Sequence, residues 1–164
     1  MQFTAQAIEY LRALLTHPET GINAQLALIE ARDGLFLARV ANEQVLLANL
    51  PPDLADEELE LDYPLVFLFG EEAENRNLAT FAWFSGPMRV GAQIRLSAER
   101  VESLEANLHR YVEAVVNVLQ NSRGEWASGF IYGGRFSVRF TAAARGGDNF
   151  LQSALVGVAL DVHM

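Results

Sequence analysis

The chain has 164 residues with no cysteine, and its 21 acidic residues outnumber its 12 basic ones, giving a formal net charge of -9. The lack of cysteine excludes disulfides, thiol nucleophiles and thiolate metal sites. All basic residues are arginine, which excludes lysine chemistry such as Schiff bases and P-loop phosphate binding. The acidic balance disfavours tight binding to nucleic acid, which needs clustered positive charge to displace counterions.

The length suits a single domain over residues 1–164. No apolar run approaches the roughly 18 to 20 residues that cross a bilayer, and the first residues show no basic region followed by an apolar one. We therefore expect a soluble chain without a classical signal peptide or a membrane partner. The hydrophobic fraction of 51% is slightly high for a soluble monomer and hints at subunit contacts.

Two amphipathic segments open the chain. Residues 4–16 repeat apolar side chains at helical spacing, which predicts a first helix. A second helix is predicted from the stripe formed by Ile22, Leu26 and Ile29, and Gly34 stands where a left-handed helix cap is expected. We expect these two helices to form a hairpin.

Strand patterns dominate the next part of the chain. The runs 35–41 and 43–50 are rich in branched and aromatic residues and favour a β-hairpin. The acidic segment 51–64 lies between prolines and reads as an exposed loop or short helix. The apolar run 65–70 predicts a strand buried on both faces. A further strand follows, and we expect a bulge or turn to interrupt it at 85–87, where serine, glycine and proline occur together.

The most regular pattern predicts a long helix over residues 96–121, with Ser97 as its N-cap. Its apolar face holds Val101, Leu104, Leu108, Tyr111, Val115 and Val118. The glycine-rich residues 124–134 and the turn at 144–149 are expected to cross a surface or to become ordered on a partner.

Two alternating strands end the chain. In the first, Phe136, Val138 and Phe140 alternate with Arg135, Ser137 and Arg139. In the second, Val156, Val158, Leu160 and Val162 alternate with Gly157, Ala159, Asp161 and His163. The element order therefore predicts an α+β fold, with an antiparallel or mixed sheet flanked by an N-terminal helical hairpin and one long helix.

Residues that could carry chemistry do not combine into a known site. His17, His109 and His163 fit no metal-ligand spacing, and His109 follows Glu105 by four residues, which favours a surface pair. The acidic segment lacks the calcium-loop pattern, and the serines and paired glycines match neither a nucleophile elbow nor a phosphate loop. We predict no catalytic residue, no metal and no cofactor.

Aromatic residues concentrate in and after the apolar run. Phe67 and Phe69 lie within that run, and Phe81, Trp83 and Phe84 follow it. Such side chains can stack on single-stranded bases when positive charge accompanies them. Because the chain is acidic, packing in the core is the favoured interpretation.

Charged residues near the last strands give the most informative pattern. Arg135 and Arg139 lie on one face of a predicted strand and could meet acidic residues of a neighbouring subunit. The acidic segment offers such residues: Asp53, Asp56, Glu57, Glu58, Glu60 and Asp62. A head-to-tail contact of this kind forms a ring when the rotation closes. These residues are the candidate subunit interface, and two solvated arginines are the alternative interpretation.

The order of four stretches carries a family resemblance: "GINAQLALIEARDG", "LDYPLVFLFGEE", "RVESLEANLHRYVEAVVNVLQN" and "LVGVALDVHM". In this order they resemble the tail-terminator, or tail-completion, proteins at the neck of long-tailed bacteriophages. The resemblance implies a small α+β subunit of the virion, assembled in the host cytoplasm into a ring, commonly a hexamer. Such a ring caps the tail tube protein, meets the head connector protein and lets DNA pass without specific binding. It implies no catalytic residue.

Other functions stay open. Within the phage interpretation, another neck or tail component is the nearest alternative. A small-molecule-binding domain or enzyme could instead use an apolar pocket lined by Phe81, Trp83 and Tyr111. A third possibility is a host-directed adaptor whose acidic segment mimics nucleic acid.

Overall fold

A computed structural model describes residues 2–50, 62–76 and 82–164. Within these ranges, three helices accompany an eight-stranded mixed sheet, which confirms the predicted α+β class. The helices are α1 (Gln2–Leu15), α2 (Ile22–Asp33) and α3 (Val101–Asn121). The strands are β1 (Val45–Leu46), β2 (Leu65–Ala73), β3 (Ser85–Ala98), β4 (Gly124–Ala127), β5 (Phe130–Tyr132), β6 (Phe136–Phe140), β7 (Ala144–Gly146) and β8 (Asn149–His163).

The sheet is organised around β8. Strands β3 and β8 pair antiparallel along their whole length, from Ser85 opposite His163 to Ala98 opposite Phe150. Along its other edge, β8 pairs in turn with β7, β6 and β5. Beyond β3, the sheet continues through antiparallel β2 to the short parallel strand β1, and beyond β5 it ends at β4. One strand therefore holds together elements from distant parts of the chain.

Alternation along β3 and β8 separates two faces of the sheet. The face that packs against α1 and α3 is called the inner face here, and the opposite face is the outer face. On the inner face, Met88 and Val90 of β3 lie opposite Leu160 and Val158 of β8, and all four are fully buried. The alternation predicted for the last strand is therefore confirmed, and its valines supply much of the core.

The long helix α3 buries the predicted apolar stripe, but it starts later than expected. Leu104 and Leu108 are buried, as are Tyr111, Val115 and Val118, whereas Val101 is 41% exposed. The predicted N-cap at Ser97 is wrong, because β3 continues to Ala98 and Ser97 pairs with Leu151 of β8. Pairing with β8 thus delays the start of the helix to Val101, which Arg100 precedes without a side-chain cap.

The β-hairpin predicted for residues 35–50 is wrong. Residues 35–41 form no strand, and β1 pairs with β2 instead. The Asn23 side chain of α2 takes the place of a strand partner: its amide nitrogen donates to the Val40 carbonyl and its oxygen accepts from the Val40 N–H, both at 2.8 Å. A helix side chain therefore satisfies backbone groups that a sheet ladder would otherwise pair.

Three further segments that were predicted to be irregular contain strand residues. Residues 85–87 begin β3 rather than interrupt it, a position near a strand end where proline is tolerated. Residues 124–134 contain the β4–β5 hairpin, and β5 pairs with β8. Residues 144–149 contain β7 and the turn into β8. Pairing with β8 in the same chain therefore orders parts of 124–134 and 144–149, which were expected to cross a surface or to become ordered on a partner.

Helix α2 packs against α3, and a charged network joins them. Asp33 accepts from Arg110 of α3 at 2.8 Å and from Arg32 at 2.7 Å. Arg32 also donates to Glu113 of α3 at 3.0 Å. The bonds from Arg32 and Arg110 hold the pKa of the Asp33 carboxyl well below its usual range. None of the helices in the described ranges is long and apolar enough to cross a bilayer.

We expect Asn23→Ala to lower the free energy of unfolding by roughly 1–3 kcal/mol, because it leaves the Val40 N–H and carbonyl without their partner. Urea unfolding measures this loss. Gln25→Ala, a change on the same helix that removes an amide without a hydrogen bond among the described residues, is the control. Equal effects of the two changes would contradict the role of Asn23.

Asp33→Asn should destabilise the protein at neutral pH and reduce the dependence of its stability on acid. The folded-state pKa of Asp33 is lowered, so its contribution is present above the unfolded pKa of about 3.9. That contribution is lost as the pH falls through the folded value. Thermal unfolding of both proteins should therefore differ more at pH 7 than at pH 2.5. Asp148→Asn, at an exposed turn, is the control and should leave the unfolding temperature unchanged.

Candidate assembly surface

One half of the outer face is covered by the chain itself. Leu65 and Phe67 of β2 are buried there beneath a group of partly buried residues: Leu46, Ala48, Leu50 and Tyr63. The buried guanidinium of Arg95 lies 4.3 Å from the centre of the Phe67 ring and donates to the Leu50 carbonyl. Apolar packing and a cation–π contact between Arg95 and Phe67 therefore close this half of the outer face.

The other half of the outer face is open and charged. Gly91 of β3 lies opposite Gly157 of β8, so no side chain rises from the sheet at this point. Over this space Arg89 donates to Glu71 of β2 at 3.2 Å and to Ser137 of β6 at 2.8 Å. Glycine at both positions lets these long side chains lie flat and join three strands. Sequence patterns did not reveal this network, although two glycines inside strands indicate a close approach.

The two arginines of the candidate interface, Arg135 and Arg139, differ in the contacts that they make within the subunit. Arg135 lies 3.3 Å from Asp161 on the neighbouring strand β8, so it already has a carboxylate in its own chain. Both side chains are largely exposed, and such a pair contributes little stability. Arg139 is exposed and makes no side-chain hydrogen bond or ion pair with the described residues. Arg139 is therefore the freer of the two to meet a partner.

Most acidic residues of the candidate interface lie outside the described residues. These are Asp53, Asp56, Glu57, Glu58 and Glu60. Asp62 is described and exposed, and its backbone carbonyl accepts from the side chain of Gln44 beside β1. In the order of the sheet, β2, β3 and β8 separate this position from Arg139 on β6. Asp62 and Arg139 of one subunit form no ion pair with each other.

The prediction that the aromatic residues form core is right for two of them and wrong for a third. Phe67 is fully buried, and Phe84 is buried against Phe3 with ring centres 4.4 Å apart. Trp83 is 93% exposed. Phe81 lies outside the described residues. An indole exposed to this degree is a large apolar surface available for contact.

The pocket expected to combine Trp83 with Tyr111 does not form. Tyr111 donates to the Ala38 carbonyl at 2.5 Å beside a cavity of about 180 Å³, which Phe36 and Leu96 also line. Burial raises the pKa of Tyr111 to about 12. Trp83 precedes the start of β3, whereas this cavity lies near its end, roughly 40 Å away at about 3.3 Å per residue.

The histidines serve structural contacts. The His109 ring stacks on Phe140 of β6 with centres 4.5 Å apart, and lies 4.0 Å from Glu105. His163 Nδ1 lies 3.0 Å from the Ser85 hydroxyl. No group of three His, Asp or Glu side chains in the described part of the chain converges as a metal site.

Substitution by alanine should affect the stability of the protein differently at Gly157 and at Gly86. A Cβ at Gly157 would meet the flexible end of Arg89 at 2.7 Å, whereas one at Gly86 would meet the Glu74 backbone carbonyl at 2.0 Å. We expect Gly157→Ala to change the unfolding free energy by less than about 1 kcal/mol, since alanine also favours the strand. Gly86→Ala should cost about 2–3 kcal/mol. Urea unfolding measures both changes. A larger loss of unfolding free energy for Gly157→Ala than for Gly86→Ala would contradict the structure.

The described residues thus offer an open charged half-face, an exposed indole and an arginine, Arg139, that has no side-chain partner among them. No protein-family model matches the sequence, and a search of curated proteins finds no significant match. What supports a function is therefore the arrangement of these surfaces together with the order of elements along the chain.

Proposed function

We propose that this chain is a structural subunit of a bacteriophage neck that forms a homo-oligomeric ring, with a hexamer favoured. The ring ends the tail tube and joins it to the head connector. The observation that carries this proposal is the placement of two exposed aromatic side chains, Trp83 at 93% and Phe36 at 83% exposure. Trp83 lies near the start of β3, and Phe36 lines the cavity near its end.

Two different apolar patches at opposite ends of a molecule suit head-to-tail contacts. In such a contact, one patch of each subunit meets the other patch of the next, and the series closes when the rotation between subunits allows it. Large exposed aromatic side chains are typical of protein interfaces and are unfavourable on a permanent monomer. The patches therefore support a ring over an isolated subunit.

The fold and the charges support the neck role in particular. Helices beside a mixed sheet, in this order along the chain, are what the resemblance to tail-terminator proteins implies. A net charge of -9 repels DNA phosphates, so DNA can pass through the ring without being held. The cavity beside Tyr111, at about 180 Å³, is smaller than the roughly 300–1,000 Å³ of ordinary ligand pockets, which argues against a small-molecule site at Tyr111.

Light scattering over a range of protein and salt concentrations tests the ring. We expect a discrete species with a mass that is a fixed multiple of the subunit, visible as rings by negative-stain imaging. Added to growing tail tubes, the protein should stop their extension. A strict monomer at every concentration that neither joins tubes nor blocks their growth would overturn the proposal.

Trp83→Ala should weaken this assembly at least tenfold while leaving the unfolding temperature unchanged, because the removed side chain is exposed in the subunit. Leu47→Ala, which removes a 45% exposed aliphatic side chain at the β1 edge, is the matched control. Mass as a function of concentration gives both association constants. A Trp83→Ala protein that assembles like the control would remove Trp83 from the interface.

A further inference from the structure

The cavity beside Tyr111 has room for one aromatic side chain. Its volume is about 180 Å³ and its lining is largely apolar, with Leu96 near the end of β3, Leu104 on α3 and Pro64 among its residues. An apolar cavity of about 150 Å³ accepts a benzene ring, so the cavity beside Tyr111 can take the ring of a side chain. Phe36, which is 83% exposed, lies at its rim.

Trp83 has a large exposed ring, but it cannot reach this cavity in its own subunit. The next residue, Phe84, is held at the start of β3 by two backbone hydrogen bonds with Met164, of 3.0 and 2.8 Å. The cavity lies near the end of β3, where Leu96 and Ala98 line it. At about 3.3 Å per residue, roughly 40 Å of strand separates the two places. No side chain spans that distance.

A second copy of the chain brings an indole to the cavity. A contact between two Trp83 side chains would be two-fold, would close after two copies and would leave the cavity uncovered. A head-to-tail contact covers the indole of one copy and the cavity and Phe36 of the next in a single step. Two large aromatic side chains together bury roughly 300–500 Å². This area is a substantial part of the roughly 1,200 Å² that the smaller specific interfaces bury.

Two other cavities on the described surface suit an indole less well. One, of about 300 Å³, lies beside Leu47, includes Glu9 in its lining and has no exposed aromatic side chain among its described residues. The other, of about 410 Å³, is lined by Arg95 and Arg145 together with several amide and hydroxyl side chains. An apolar lining with an exposed ring at the rim therefore favours the cavity beside Tyr111.

We propose that Trp83 of one copy of this chain inserts its indole ring into the cavity beside Tyr111 of the next copy. The ring then packs against Phe36, and Ser97 and Asn107, which also line the cavity, supply oxygen atoms that can accept a hydrogen bond from the indole N–H. The proposal rests on the ring assembly proposed above and names the contact that joins its subunits.

Cross-linking tests which ends of two copies meet, and the natural chain has no cysteine that would interfere. Ala82→Cys places a thiol beside Trp83. Ser103→Cys places one at an exposed position next to Leu104, near the cavity. Ser128→Cys, the matched control, is exposed in the β4–β5 turn, at the same end of the sheet as Trp83.

The variants are mixed in pairs as dilute subunits, concentrated, and treated with a short bismaleimide. We expect the Ala82→Cys protein to be joined to the Ser103→Cys protein and not to the Ser128→Cys protein. Cross-linking of the Ala82→Cys protein to itself would indicate a two-fold contact and would overturn the proposal. Equal yields with Ser103→Cys and Ser128→Cys, or no cross-link with either, would also overturn it.

Filling the cavity tests the insertion. Ala38→Leu adds bulk at an exposed position of the lining and keeps the backbone carbonyl that accepts from Tyr111. Ala31→Leu, at an exposed position of α2, is the control. We expect Ala38→Leu to lower the association constant at least tenfold and Ala31→Leu to leave it unchanged, with similar unfolding temperatures for both. Equal assembly of the two variants would overturn insertion and leave the ring standing.

Tryptophan fluorescence separates this contact from the neck function. In a Trp126→Phe protein, Trp83 is the only tryptophan. We expect its emission to move to shorter wavelength as the protein assembles, and Ala38→Leu in the same background to suppress the shift. Rings that form without the shift would refute the Trp83 contact alone. The shift in a protein that neither closes into rings nor stops tail tubes would refute the neck function and retain the contact.

Discussion

The structure depends on one strand having partners on both sides along nearly its whole length. β8 pairs with all of β3 on one edge and with β5, β6 and β7 on the other, and its inner-face side chains reach the core beneath α3. Val156, Val158 and Val162 are each fully buried, and burial of such a side chain contributes roughly 1.5–3 kcal/mol. The last residues of the chain thus fix the positions of strands formed much earlier.

This central pairing also determines which surfaces remain for assembly. Among the described residues, helices cover the inner face and part of the outer face is closed over Phe67, whereas the charged half-face around Arg89 and one edge of β6 stay open. Trp83 precedes the start of β3, and its indole is 93% exposed among the described residues. A subunit with an open strand edge, an exposed indole and an exposed arginine is suited to repeated contacts with copies of itself.

The sequence predicted the parts of the fold that depend on periodicity. Alternation in β8 and the helical stripe of α3 reflect burial on one side, so they are visible without a structure. The segment at 35–41 was mistaken for a strand because its backbone is held by Asn23, and a bond between residues so far apart leaves no local pattern. Trp83 was assigned to the core because composition does not distinguish an apolar side chain that packs within a subunit from one suited to packing between subunits. Asp62 and Arg139 could be paired by charge, but the sequence did not show that one lies beside β1 and the other on β6.

The proposed ring requires that copies of this chain meet through side chains that the single subunit leaves exposed, and an electron cryomicroscopy map of the assembled particle is the measurement to make. We expect the Trp83 indole, 93% exposed in the subunit, to be buried against a neighbouring copy in every subunit of the ring. A ring in which Trp83 faces solvent, or a protein that yields no assembled particle, would refute the proposal.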